Sequence, residues 1–302
     1  MPVKQLNILI AGGSGFIGKN LSLFLSQKHD ICLLSRSKNH SFKQYQKIIT
    51  WDELNADSIK DFDLIINLSG YNIADKNWSN KVKEKILQSR LQTTQKLVDL
   101  IADQAIWFIN ASAIGFYPFS FNVQTENNHL EKTNQNSGFS QEVVEKWEAI
   151  VNRSKLEHKT IVRFGVVIGN GGMLKKLLLP TKIGIGSVVG TGEQLISWIQ
   201  MDDLISAIDF IIENNYKNKI FNLTSPNVIT QKALTRSLAE ILKRPQFLSM
   251  PKIMVKLLFG QMGEELLLSS HHIKPQKLIN YGFKFKYPHI DQAIEHSLNK
   301  DN

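Results

Sequence analysis

Cysteine is almost absent: Cys32 is the only one among 302 residues, so no disulfide can form within the chain. It lies inside an apolar run, where a free cysteine behaves as a small buried hydrophobe. No stretch approaches the ~18 consecutive apolar residues needed to cross a bilayer. The short apolar run near the N-terminus begins a strand, no leader-like stretch precedes it, and a cytoplasmic protein is expected. Internal repeats and low-complexity tracts are missing as well. Acidic residues are in deficit, 27 against 36 lysines and arginines, for a net charge of +9. That excess is spread rather than gathered, as in Lys81-Val82-Lys83-Glu84-Lys85, which mixes both signs along a helical face. No nucleic-acid partner is expected, whereas an anionic nucleotide cofactor suits the balance. His271-His272 has no spaced acid or cysteine to complete a ligand set, so no metal is expected.

What is present begins at Asn7-Ile8-Leu9-Ile10-Ala11-Gly12-Gly13-Ser14-Gly15-Phe16-Ile17-Gly18. An apolar, β-branched run reads as a buried parallel strand, and from Phe16 to Leu25 the apolar residues fall at helical spacing. Gly12, Gly15 and Gly18 stand three apart between and within these elements. Gly12 suits a sharp turn, Gly15 a close approach to a pyrophosphate, and Gly18 tight packing of helix on strand. A bound anion would sit on the helix N-terminus.

The second strand, Ile31 to Leu34, ends in Ser35-Arg36-Ser37 and offers no acidic residue. An acid ~20 residues past the glycine turn bonds the adenosine ribose of NAD, whereas an arginine accommodates the 2′-phosphate of NADP. NADP is therefore expected. Further strands are read at Ile48–Trp51, Asp63–Gly70, Ile106–Ala113, Thr160–Arg163 and Ile220–Leu223. Helices are read at Asp52–Lys60, Ser79–Ala102, Phe139–Val151, a segment through Ile212 with Asp202 or Asp203 near its start, Thr230–Lys243 and, around an interior Gly260, Pro251–Ser269. Alternating strands and helices predict a Rossmann-like, doubly wound parallel α/β sheet. Between Gly165 and Gly192, eight glycines interrupt the alternation. This seam divides an expected cofactor domain, 1–168, from a smaller substrate-side region, 169–302, the two packed as one globule with some interleaving. The seam, with 187–198 and 251–282, is expected to form a mobile lip over a substrate cleft.

With these residues laid out, the chain resembles the extended short-chain dehydrogenase/reductases, and among them the atypical family of NADP-dependent sugar-nucleotide epimerase-like proteins. The resemblance runs nearly end to end. It is carried by the glycine turn, Ser35-Arg36, Ile49 to Leu54, Asn67-Leu68-Ser69-Gly70, Ser89-Arg90, Ala111-Ser112-Ala113, Lys146-Trp147-Glu148, Arg163 to Val167, Ser197-Trp198-Ile199, Pro275 and Gly282-Phe283. It implies cofactor contacts from Gly12, Gly15, Phe16, Ile17 and Gly18, and from Ser35 and Arg36 at the adenosine phosphate. It further implies contacts from Leu68, Ser69 and Gly70 at a strand end, from Arg90, and from Phe164 and Val166 at the nicotinamide.

One feature of that superfamily is absent, a tyrosine with a lysine four residues later that lowers its phenol pKa. Four residues after the six tyrosines come Ile49, Asp75, Phe121, Ile220, Phe285 and Asp291. Aligning Glu148 with the acid that often follows the pair puts Ser140 at the tyrosine position and Val144 at the lysine position. Ser112 and Tyr117, after a strand expected to face the nicotinamide, are the remaining candidates for proton transfer. Two functions stay open: an NADP(H)-binding oxidoreductase or epimerase-like enzyme for a small substrate, such as a nucleotide sugar, or a non-catalytic NADP(H)-binding protein that reports redox state to a partner.

Overall fold

A computed structural model describes residues 4–38, 42–128 and 138–299. Seven parallel strands form the central sheet: β1 (Asn7–Ala11), β2 (Asp30–Ser35), β3 (Lys47–Thr50), β4 (Leu64–Asn67), β5 (Trp107–Ala113), β6 (His158–Phe164) and β7 (Lys219–Leu223). Their order is β7-β6-β5-β4-β1-β2-β3. The chain winds outward from β1 through β2 and β3, then returns to the other side of β1 with β4. The carboxyl ends of β1 and β4 thus border the switch point, where open α/β sheets bind ligands.

The strands are apolar on both faces because both are covered. Ile8 and Ile10 of β1 pack in one core with α1 (Phe16–Leu25) and α5 (Met201–Glu213). The alternate residues Leu9 and Ala11 pack in another with α2 (Asn80–Ile101) and α3 (Phe139–Arg153). A third core joins α4 (Gly172–Lys182), α6 (Gln231–Ile241) and the helix Ile290–Asn299. The doubly wound sheet expected from alternation is present.

The sheet crosses the 168/169 division: β7 comes from the C-terminal half and pairs along its length with β6. Two local readings are corrected. At 52–60 there are turns and only a short 3-10 helix, Ser58–Asp61, instead of a helix. The Asn55 Oδ1 accepts from the amides of Asp57 and Ser58, both at 3.0 Å. Such side-chain bonds compete with helical backbone bonding. The glycine-rich stretch is also largely regular. It contains the strand Val166–Ile168, α4 and the strand Ser187–Val189, each strand paired with a partner. Its glycines punctuate these elements: Gly171 and Gly172 precede and open α4, Gly184 follows it, and Gly190 ends the second strand, all with positive φ.

Candidate functional site

The glycine turn is built as its spacing requires. Gly12 has φ +81°, and a Cβ there would lie 2.7 Å from the carbonyl of Leu68 and 2.9 Å from the Ser69 nitrogen. The ends of β1 and β4 therefore close to within backbone contact, sealed by the Leu68 amide donating to the Ala11 carbonyl at 2.8 Å. Gly18 is buried, and a Cβ would meet the Gly12 carbonyl at 2.5 Å. Gly15 differs: it is exposed, and its Cβ would meet only the Gly12 oxygen, at 3.2 Å. Two of the three glycines fit protein against protein, while the third leaves open space at the N-terminus of α1. From behind, the buried Tyr45 hydroxyl donates to the Gly13 carbonyl at 2.7 Å.

Phe16 and Ile17 open α1 half-buried, and the Phe16 ring lies where a side chain at Gly169, Gly171 or Gly172 would go. The glycines before α4 thus let its N-terminal end close on the cofactor turn. At the end of β2, Ser35 is buried and Arg36 is exposed. Lys38 adds a second cation and pairs with Glu53. Phe164 ends β6 and Val166 opens the next short strand, opposite Trp198; the Phe164 and Val166 side chains are half-buried.

The end of β4 is held by a buried amide network. Asn67 Nδ2 donates to Thr94 Oγ1 at 2.9 Å and to Asn110 Oδ1 at 2.8 Å, while its Oδ1 accepts from the Ser69 amide at 3.1 Å. Trp147 also donates to Thr94, at 2.7 Å. These bonds tie β4, β5, α2 and α3 together at the strand ends. Arg90 stands beside them: a Cβ at Gly70 would lie 3.0 Å from its guanidinium carbon. It donates to the Tyr71 and Ile86 carbonyls at 2.9 Å and has no acidic partner among the described residues. Burial pulls its pKa down to about 10.

Ser112 and Tyr117 prove to be buried, at 3% and 0% exposure. In the strand register Ser112, Arg163 and Asn222 stand side by side on β5, β6 and β7, a polar row just inside the strand ends. Glu148 of α3 takes the Ser112 hydroxyl at 2.5 Å and a bidentate pair from Arg163 at 2.7 Å. Arg163 also donates to the Tyr117 oxygen at 2.9 Å, and that phenol donates to Asn222 Oδ1 at 2.9 Å. Burial raises the Tyr117 pKa, although Arg163 and Asn222 oppose the shift. Both hydroxyls are engaged in this network instead of facing an open cleft.

Ser140 and Val144 do face the turn after β5: both lie 3.7–3.8 Å from the Cβ position of Gly115. Neither side chain is a phenol or an ammonium. Glu265, which sequence reading missed, meets Ser140 instead. It projects from α7 (Lys252–Leu267), 7% exposed, and its two oxygens accept from the Phe139 amide at 2.9 Å, the Ser140 amide at 2.8 Å and the Ser140 hydroxyl at 2.6 Å. A carboxylate there satisfies helix N-terminal amides and suits the helix dipole. Gly138 makes room, since a Cβ there would lie 2.4 Å from the carboxyl carbon. No cluster of metal-ligating residues is found among the described residues, nor any helix long and apolar enough to cross a membrane.

The sequence model of the NAD dependent epimerase/dehydratase family matches residues 8–224. A second, of a domain of unknown function called DUF1731, matches 250–297, which includes Glu265. Epimerase family protein SSP1921 of Staphylococcus saprophyticus is 35% identical, over 95% of this chain and 97% of its own. The crystal structure of human epimerase family protein SDR39U1 (isoform 2) with NADPH superposes with a TM-score of 0.87 at 28% identity, covering 97% of this chain and 99% of that one. The nucleoside-diphosphate sugar epimerase of Corynebacterium glutamicum gives 0.76 at 27%, covering 98% of this chain and 59% of the other. With the family match over the whole Rossmann-like sheet and relatives aligned nearly end to end, the chain belongs to the NAD dependent epimerase/dehydratase family.

Proposed function

We propose that the protein is an NADP(H)-binding oxidoreductase or epimerase-like enzyme, acting on a small substrate of the nucleotide-sugar class without a tyrosine–lysine pair. The observation that carries the cofactor half is the exposed Arg36 at the end of β2, beside a glycine turn whose open position is Gly15. An arginine fork matches a 2′-phosphate, and the residues that end β2, Ser35-Arg36-Ser37, supply no carboxylate to bond a free ribose, the nearby Glu53 being held by Lys38 and Thr50. The pyrophosphate would lie over Gly15, Phe16 and Ile17, with Leu68, Ser69 and Gly70 along its side. Arg90, a cation without an acidic partner among the described residues, suits an anionic ligand at the same strand end. The related human structure holds NADPH, which agrees with this choice. Phe164 and Val166 would border the nicotinamide, which supplies or accepts a hydride when bound. The first 168 residues would carry most of the cofactor side and the remainder the substrate side. The unpaired Cys32 suits a reducing, cytoplasmic setting.

For this chemistry we assign Ser112 and Tyr117 positioning roles: through Glu148, Arg163 and Asn222 they hold the strand ends rigid beside the cofactor. With Glu148 aligned to the acid that often follows the pair, the Ser140 hydroxyl, which donates to Glu265, would stand in place of the phenol. A serine hydroxyl is a far weaker acid than a phenol flanked by a cation, so hydride transfer is expected to be slow at neutral pH. The commitment of all three hydroxyls to buried carboxylate or amide partners favours a second reading, a redox reporter without turnover. Single-turnover mixing of the NADPH complex with nucleotide sugars and simple carbonyl compounds separates the two. Substrate-dependent oxidation of the cofactor supports the enzyme, whereas intact NADPH with every member of the panel supports the reporter.

A further inference from the structure

Nine of the fifteen large apolar side chains exposed among the described residues lie on two segments, 179–185 and 247–258, so the exposed apolar surface is concentrated. Strand pairing brings these segments together. Ser187–Val189 runs parallel to Leu248–Met250, with Ser187 opposite Leu248. The residues that lead into the two strands, Ile185-Gly186 and Gln246-Phe247, therefore run side by side; Phe247 is 87% exposed, and Ile183 and Ile185 are exposed as well. The chain then turns at Pro251 into α7, where Val255 is fully buried against the body and Ile253 and Leu257 are 72% and 80% exposed. Positions i and i+4 share a helix face, so α7 begins with an apolar stripe directed outward. At Gly260, with φ +53° and ψ −140°, the helix kinks, and only the following half carries Glu265 into the site. Gly184 and Gly260 have open space where a Cβ would stand, so both turns border solvent.

Charge identifies what this face fits. Residues 172–190 and 243–258 contain seven lysines and arginines and no aspartate or glutamate, and of the seven only Lys256 is ion-paired among the described residues, with Glu264 of the same helix. A two-fold contact between copies of this chain would set that cationic patch against itself. Exposed apolar side chains rimmed by lysine suit the boundary between anionic headgroups and acyl chains. We infer that this face docks reversibly on an anionic lipid surface. Phe247, Ile183 and Leu257 enter the acyl boundary, and Lys182 and Lys252 lie at the headgroups. The docked face adjoins the candidate site, because Asn77, in the loop leading from Gly70 to α2, donates to the Leu258 carbonyl at 2.7 Å.

Sedimentation of the full chain with vesicles tests the inference, using phosphatidylcholine alone and phosphatidylcholine with about one-third phosphatidylglycerol. Binding is expected to be at least ~10-fold stronger to the anionic vesicles and to weaken with salt. The double substitution F247S/L257S, at exposed positions, should lower it about 10-fold or more, with circular dichroism unchanged. K182E/K252E, which leaves the apolar stripe intact, should lower binding to the anionic vesicles by at least about 30-fold at low salt. Equal sedimentation with and without phosphatidylglycerol, or unchanged binding by both variants, would overturn the inference. So would light scattering that shows a dimer of the free chain dissociated by F247S/L257S, which would give the face to a second copy.

Discussion

Single residues at the turn separate roles that sequence spacing treats alike. A side chain at Gly12 would strain a left-handed backbone and press on Leu68, so Gly12→Ala should destabilise the fold by several kcal/mol, on the order of 3. Gly15→Val should keep most of the stability, since open space surrounds its Cβ apart from one oxygen, and should lose cofactor affinity. Denaturant titration and cofactor binding on the two variants measure both effects; an equal loss of stability would remove the distinction. His271 gives a test in pH. Burial lowers its pKa from 6.5 to about 4, and its Nδ1 is buried without a hydrogen-bond partner. The folded state therefore resists its protonation. The stability this group contributes is complete above about pH 6.5 and falls away as pH drops towards 4, by at most about 3 kcal/mol. Unfolding measured across that window should show a smaller acid loss in His271→Phe than in the natural chain. The strand, turn and helix around Gly12, Gly15 and Gly18 were legible because the pattern that marks them lies within one short stretch, although the close approach of Leu68 to Gly12 comes from 56 residues on. Glu265 was not, because it meets Ser140 across 125 residues and nothing around either one signals the other.

At the scale of elements, α3 is fixed twice. Glu148 anchors its middle to β5 and β6, and Glu265 caps its start from α7. Glu148→Ala would leave Arg163 buried without a counter-charge and should cost about 3–5 kcal/mol. Glu265→Ala would strip acceptors from two helix amides and should cost about 2–3 kcal/mol. Chemical denaturation of both variants checks the order; a larger loss at Glu265 than at Glu148 would contradict it. Here the sequence was partly legible. Arg163 interrupts an apolar strand, and a charged residue in a buried strand requires a partner, but the pattern does not say which of 27 acids supplies it. The glycine-rich stretch was misread for a related reason. Composition reports glycine content, whereas these glycines lie at the ends of α4 and its neighbouring strands, where positive φ is needed.

Over the whole molecule, the winding of the sheet was readable from the alternation of apolar strands and helices, because both sheet faces must be covered. Membership of the last strand was harder to see. β7 joins the cofactor sheet from beyond the glycine-rich stretch, and only its pairing with β6 shows that the two halves share one core. That sheet places the glycine turn, Arg36 and Arg90 around one switch point, and the account rests on their recognising NADP(H). Calorimetric titration of the natural chain and of Arg36→Ala with NADPH and with NADH tests this most directly. The account predicts that NADPH binds the natural chain ~10-fold or more tightly than NADH and that Arg36→Ala removes most of the difference. Equal affinity of the natural chain for both cofactors, or a preference unchanged in Arg36→Ala, would contradict it.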